Sequence, residues 1–404
     1  MCGIVGLYSK KDLKEKLYYR LLDLQHRGQD SYGYSDGSNT EKFMGLIKNL
    51  PNKLEGNVAI AHTRYRTSGQ VNETSSQPIS SNDITLIHNG NVHLDYKISD
   101  THSFLDFMIE NQKDDMIETI KYTIDNVEGS FFVIMIHQGC VYAFKDKNGI
   151  RPGCYGRKDE DIIISSENKS FEENEIEFID DVQPGQILKV ENGTISKYQT
   201  TNFLKPCIFE FIYFSDRNST IYGLNVTDFR TSMAKSCVEL LKNQHFDAIC
   251  GIPNSARVYG LEIANILKKP YFEPVVMKKR SFILPTQEDR EKYVNKKFTF
   301  FDQHFSYNSV LIVDDSIVRG TVSKSIISKF KEKNCNIVFL SCSPKILSPN
   351  RFGINITSKE ELVTYNRTHE EIEEYLGCKV VYQTIENLYK CSGFENLEIS
   401  NFLN

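Results

Sequence analysis

The chain has 10 cysteines in 404 residues, yet no two are spaced C-x-x-C, so the usual zinc and dithiol redox spacings are missing. Tryptophan is absent. No window approaches the ~20 consecutive apolar residues that a membrane helix needs. The N-terminus, MCGIVGLYSKKDLK, has no basic stretch ahead of its apolar residues and runs straight into charge, unlike a secretory signal peptide. A basic excess is also lacking: 48 Lys and Arg against 53 Asp and Glu leave a formal net charge of -5, which argues against a general nucleic-acid binder. No G-x-x-x-x-G-K-[ST] phosphate loop occurs, and there is neither an internal repeat nor a low-complexity segment. These absences point to a soluble cytoplasmic protein with reduced cysteines and no membrane or nucleic-acid partner.

What is present suffices for real cores. Hydrophobic residues make up 40% and charged residues 25%, and at roughly 100–200 residues per domain the length predicts two domains. The first half reads as short β runs between polar turns: GIVGLY (3–8), VAIAHT (58–63), ITLIHNG (84–90), GSFFVIMI (129–136), CVYAFKD (140–146) and DIIISSE (161–167). Helical periodicity covers Lys11–Leu24 and a longer stretch from about Thr101 to Thr123. QILKVENGTISKY (186–198) contains Asn192-Gly193, a hairpin signal. The polar stretch SSENKSFEENE (165–175) reads as a surface loop. Strands with few helices make an α+β pattern. After TTNFLKP (200–206), helix and strand alternate, which predicts a parallel α/β sheet. The boundary falls at 203/204, giving domains 2–203 and 204–404.

Cys2 directly follows Met1. On position alone it is a small residue that happens to sit second. With the methionine removed, it joins a thiol to a free α-amine whose reference pKa is about 7.7–8.0, so the nucleophile would carry its own base. Downstream lie LQHRGQDSYGY (24–34), AHTRYRTSG (61–69), IHNGNV (87–92), SDTHSF (99–104), EGSFFVI (128–134) and KDKNGIRPGCYGR (145–157). In this order and spacing they resemble the glutamine amidotransferase domain of the N-terminal-nucleophile class, an αββα sandwich.

The resemblance implies Cys2 as catalytic nucleophile, with the Asn89 side chain and the Gly90 N–H as oxyanion hole. It also implies Arg64 and Thr67 at the glutamine α-carboxylate and Asp100 at the α-ammonium. Asn89-Gly90 is by itself a hairpin turn, and Asp100 is equally a helix N-cap. Arg27 is read as positioning the nucleophile region, and none of His26, His62 and His88 is assigned as a base. One departure is visible, since relatives usually carry proline where Arg66 stands. No propeptide is expected ahead of Cys2.

VLIVDDSIVRGTVSKSII (310–327) is the most specific string in the chain. A buried strand ends in two aspartates, followed by a Gly-containing turn and a helix, which places a site at the carboxyl end of a parallel strand. It resembles the type I phosphoribosyltransferase motif. The resemblance implies that Asp314, Asp315, Ser316, Ile317, Val318, Arg319, Gly320 and Thr321 bind phosphoribosyl pyrophosphate. A second loop, IPNSARVYG (252–260), matches the pyrophosphate loop and adds Ser255 and Arg257. Ser255, Asp314 and Asp315 would hold magnesium. VVMKKRSFILPTQEDREKYVNKKF (275–298) resembles the hood over the substrate, with Lys278 as a ligand and a stretch shorter than in relatives.

Both halves together resemble the amidophosphoribosyltransferase family, which opens purine biosynthesis. The resemblance implies ammonia release from glutamine at Cys2 and its transfer to phosphoribosyl pyrophosphate, giving 5-phosphoribosylamine, glutamate and pyrophosphate. It implies a homo-oligomer, with purine nucleotides as inhibitors. Some members hold an iron–sulfur cluster on a C-terminal C-x-x-C and a cysteine after proline. Here that region reads Pro349-Asn350-Arg351-Phe352, so no cluster is expected, and Cys207, Cys237, Cys250, Cys335 and Cys342 are read as buried small hydrophobes. Two rivals stand beside this reading. One is a sugar-phosphate aminating amidotransferase, against which the 310–321 string argues. The other is a paralogue that binds phosphoribosyl pyrophosphate or nucleotide as a regulator. The short hood, Arg66, and FSDRNS (214–219), where relatives usually read Phe-Ala-Arg-Pro-Asp-Ser, lean towards it.

Overall fold

A computed structural model of the chain describes residues 2–66, 72–199, 201, 203–277, 298–301, 307–352, 354, 356 and 358–403. They cluster into two compact units. The first is Met1–Cys207 with Phe214–Asn225 and Arg351–Asn355; the second is Ile208–Tyr213, Val226–Asn350 and Ile356–Asn404.

The first unit holds strands β1 (Gly3–Tyr8), β2 (Ser31–Ser35), β3 (Thr40–Met44), β4 (Val58–Arg64), β5 (Ile79–Ser81), β6 (Ile84–Val92), β7 (Gly129–His137), β8 (Cys140–Lys145), β9 (Cys154–Lys158), β10 (Asp161–Ser165), β11 (Glu177–Asp181), β12 (Gln186–Glu191) and β13 (Thr194–Gln199). Its helices are α1 (Leu13–Asp23), α2 (Asp100–Glu110) and α3 (Met116–Asn126). Two antiparallel sheets form, in the orders β11-β9-β10-β1-β4-β2-β3 and β13-β12-β8-β7-β6-β5.

Strand alternation explains the layers. In β1, Val5 and Leu7 pack with α1, whereas Ile4 and Tyr8 pack between the sheets. In β7, Phe131, Val133 and Met135 face α2 and α3, while Phe132, Ile134 and Ile136 face the other sheet. Both faces are buried, which is why GIVGLY and FFVIMI are continuous apolar runs rather than alternating ones. Each such buried side chain contributes roughly 1.5–3 kcal/mol. The result is the four-layer αββα sandwich.

The helical stretch expected from Thr101 to Thr123 is two helices. Asp115 breaks it by accepting the Ile117 N–H at 2.9 Å as the N-cap of α3. The 186–198 hairpin forms as expected, with Asn192 and Gly193 both at positive φ. The stretch 165–175 is only partly a surface loop: Ser165, Ser166 and Glu167 are buried, because the Ser166 hydroxyl accepts the Ile4 N–H at 3.0 Å.

The second unit carries a parallel sheet with the strand order Ala248–Gly251, Ser309–Asp314, Asn336–Ser341, Lys379–Tyr382. The helices Val226–Leu240, Ala256–Leu267 and Thr321–Lys331 accompany it. Cys207, Cys237, Cys250, Cys335 and Cys342 are all buried. Among the described residues, no helix is long and apolar enough to cross a membrane.

Candidate functional site

Alternation also decides what faces Cys2. Ile4, Ile60 and Ile87 belong to the layer between the sheets. Cys2, His62, Arg64 and Asn89 lie two or four residues from them along the same strands or strand ends, so they project into the same layer. His88 points the other way, with its ring stacked on Phe104 at 5.9 Å.

Cys2 is 7% exposed. Its N–H donates to Asn89 Oδ1 at 2.9 Å, and its thiol donates to the Tyr65 carbonyl at 3.6 Å. Because the Cys2 donor takes the amide oxygen, Asn89 turns its Nδ2 donor the other way. That atom is buried and has no partner among the described residues. Gly90 follows at φ 152, and a Cβ there would stand 1.9 Å from the Ser130 carbonyl oxygen, so only glycine fits.

Arg64 ends β4 and is 4% exposed, with Nη1 donating to Ser75 Oγ at 2.8 Å. Burial lowers its pKa, against the pull of Cys2, Asp30 and Asp100; that pull places all three within electrostatic reach. Asp100 opens α2 with its carboxylate buried, accepting the Thr101 and Val92 N–H groups at 3.0 and 3.4 Å. Burial, with Arg64 and His88 adding to it, drives His62 well below the usual histidine range. Burial also lowers His88, against the pull of Asp100. Both shifts favour the neutral imidazole.

Arg66 donates its backbone N–H to Asp30 Oδ2 at 2.8 Å, a bond proline lacks. Thr67 lies outside the described residues. The structure thus brings together Cys2, Arg64, Asn89, Gly90 and Asp100, and adds Ser75, which sequence reasoning missed. Nothing in its sequence neighbourhood distinguishes a buried serine from a solvated one.

In the second unit, Asp314 and Asp315 sit at the carboxyl end of the strand Ser309–Asp314. Gly320, at φ 75, turns the chain into the helix Thr321–Lys331 and supplies no capping side chain; a helix N-terminus favours an anion. Ser255 precedes the helix Ala256–Leu267 but does not cap it; its hydroxyl donates to Asp315 Oδ2 instead. Asp315 Oδ1 accepts from Ser316 Oγ at 2.8 Å. The two loops predicted to share a ligand therefore meet at Asp315.

Asp314 to Thr321 are half-buried, apart from Ile317 and Gly320, which are buried. Arg257 pairs with Glu273 at 2.7 Å, and Arg319 donates to Glu361 at 2.6 Å. Among the described residues, no group of three His, Cys, Asp or Glu is placed to hold a metal. Two carboxylates and a hydroxyl, all hard oxygen donors, fit a magnesium ion that keeps its waters and shares substrate phosphates. Lys278 and the shortened hood lie outside the described residues.

No family model matches the chain. Curated relatives do. The chain is 32% identical to the amidophosphoribosyltransferase of Methanocaldococcus jannaschii, over 98% of this chain and 95% of the relative. It is also 32% identical to that of Escherichia coli, over 100% of this chain and 90% of the relative. The chain belongs to the amidophosphoribosyltransferase family. A solved member, glutamine phosphoribosylpyrophosphate amidotransferase from B. subtilis complexed with ADP and GMP, superposes with a TM-score of 0.86 at 27% identity, covering 99% of this chain and 94% of that one. Membership extends over both units, so the fold class is an N-terminal-nucleophile domain followed by a type I phosphoribosyltransferase domain.

Proposed function

We propose that the chain hydrolyses glutamine at Cys2 and passes the ammonia to phosphoribosyl pyrophosphate, with residues 2–203 carrying the first reaction and 204–404 the second. The observation that bears most weight is Asn89, whose oxygen is held by the Cys2 nitrogen and whose Nδ2 is left as a buried, unpartnered donor. An unsatisfied buried donor costs about 1–3 kcal/mol, a cost that a developing oxyanion would offset.

After methionine removal, the neutral α-amine takes the thiol proton. The thiolate attacks the glutamine amide carbon, and the oxyanion is met by Asn89 Nδ2 and the Gly90 N–H. The carbon–nitrogen bond breaks, the amine returns its proton to the leaving nitrogen, and ammonia departs. Water then cleaves the thioester to glutamate. Arg64, with Thr67, binds the α-carboxylate through a planar fork, and Asp100 binds the α-ammonium.

In the second site, ammonia attacks the anomeric carbon of phosphoribosyl pyrophosphate and pyrophosphate leaves, giving 5-phosphoribosylamine. The N–H groups of Ser316 to Thr321 hold phosphate, Asp314 and Asp315 accept from the ribose hydroxyls, and Arg257 and Lys278 meet the pyrophosphate. Asp314, Asp315 and Ser255 would hold magnesium, which supplies charge neutralisation at the pyrophosphate. The B. subtilis relative was solved with ADP and GMP, which supports purine nucleotides as ligands here, and we expect a homo-oligomer in the cytoplasm.

Incubation with glutamine, phosphoribosyl pyrophosphate and magnesium tests this reading. Glutamate and pyrophosphate should appear together, and neither should form from glutamine in Cys2→Ala. No glutamate from a chain with an intact N-terminal cysteine would contradict it.

A further inference from the structure

Behind Cys2 lies a cluster of buried charge built on Arg27 and Glu167. Arg27 donates from Nε to the Cys2 carbonyl at 2.9 Å. Its Nη1 bonds Glu167 Oε1 and reaches Ser215 Oγ at 3.5 Å. Neither side chain of the Arg27–Glu167 pair has any solvent exposure. Glu167 Oε1 also meets His26 Nε2 at 2.9 Å. Glu167 Oε2 accepts the Asp216 N–H at 2.8 Å and the Ser219 hydroxyl at 2.6 Å. Burial alone would raise this carboxyl, but the charges of His26 and Arg27 and the bonds from His26 and Ser219 hold it well below the usual range.

A buried ion pair is weak evidence for stability, because desolvation offsets the attraction. What it supplies here is direction. The guanidinium is a rigid plane, and with Nη1 held on Glu167 its Nε–H is aimed at the Cys2 carbonyl. The segment 214–219 provides Ser215, Asp216 and Ser219 to this cluster.

We propose that Glu167 is a positioning residue for Cys2: through Arg27 it fixes the Cys2 carbonyl, and with it the thiol, against the Asn89 and Gly90 donors. The inference rests on Cys2 as nucleophile, which Cys2→Ala tests separately by loss of glutaminase.

Glu167→Gln keeps the shape and removes the charge. Glutaminase kcat should fall about 10- to 100-fold, as expected for a misplaced nucleophile, with KM for glutamine nearly unchanged. Alkylation of Cys2 by iodoacetamide should slow in parallel. Synthesis driven by added ammonium should stay at the wild-type rate, which shows the chain folded. Unchanged glutaminase kcat, or an equal loss in the ammonium-driven reaction, would overturn the proposal. If Glu167→Gln does not fold, Ser219→Ala decides instead. A few-fold fall in glutaminase kcat alone supports positioning, and no change overturns it.

Discussion

Cys2, Arg27, Arg64, Asn89 and Asp100 come from five separated stretches of chain, and all are buried. Asp314 to Thr321 form one continuous loop, most of whose residues are half-exposed. The first arrangement suits chemistry in which a charge must appear and be met at once: fixed donors in a dry layer act at low effective dielectric and need no reorganisation. The second suits a substrate that arrives with its charge already formed. There the loop offers backbone N–H groups and oxygen donors, while Arg257 and Arg319 are matched by Glu273 and Glu361. A net charge of -5 is compatible with this, since on the proposed reading the anion is met locally.

The contrast can be broken from either side. The largest effect is expected from Cys2→Ala: glutamine-dependent synthesis should fall to background, about 10⁴-fold or more, while synthesis from ammonium persists. Parallel loss of both reactions would show that the two regions do not divide the work. Next comes Asp315→Ala, which removes the contact between the two loops. Synthesis from either nitrogen source should drop roughly 10²- to 10³-fold, within the range of lost electrostatic stabilisation, with basal glutamine hydrolysis retained. Chelating magnesium with EDTA should give the same pattern, and adding magnesium back should reverse it.

Asn89→Ala should lower glutaminase kcat by about 10²-fold or more and leave ammonium-driven synthesis alone, as steady-state kinetics on each nitrogen source would show. The smallest effect belongs to Gly320→Ala. At φ 75 an alanine is strained by about 1–2 kcal/mol, so calorimetry should record a Tm lower by a few degrees and kinetics a higher KM for phosphoribosyl pyrophosphate.

The same contrast governs what could be read before the structure. The phosphoribosyl loop is contiguous, so strand, aspartates, glycine and helix stand together in VLIVDDSIVRGT. The glutaminase site is assembled by strand pairing, and each of its motifs is weak by itself. Asn89 and Cys2 are 87 residues apart and meet only because β1 and β6 lie in facing sheets. Continuous apolar runs mark β1 and β7, and ITLIHNG marks β6, but Gly33 and the polar ends of SYGYS hide the tyrosines of β2, which pack under α1. Glu167 was unreadable for a related reason. Its burial depends on Arg27, 140 residues away, and nothing local in SSENKS marks it.

The central claim is that an N-terminal cysteine is the nucleophile, and a diazoketone analogue of glutamine tests it most directly. Intact mass and peptide mapping after inactivation should find a single label on Cys2, at a chain terminus that has lost Met1. Labelling elsewhere, or full glutaminase activity in a chain that keeps Met1, would contradict the account.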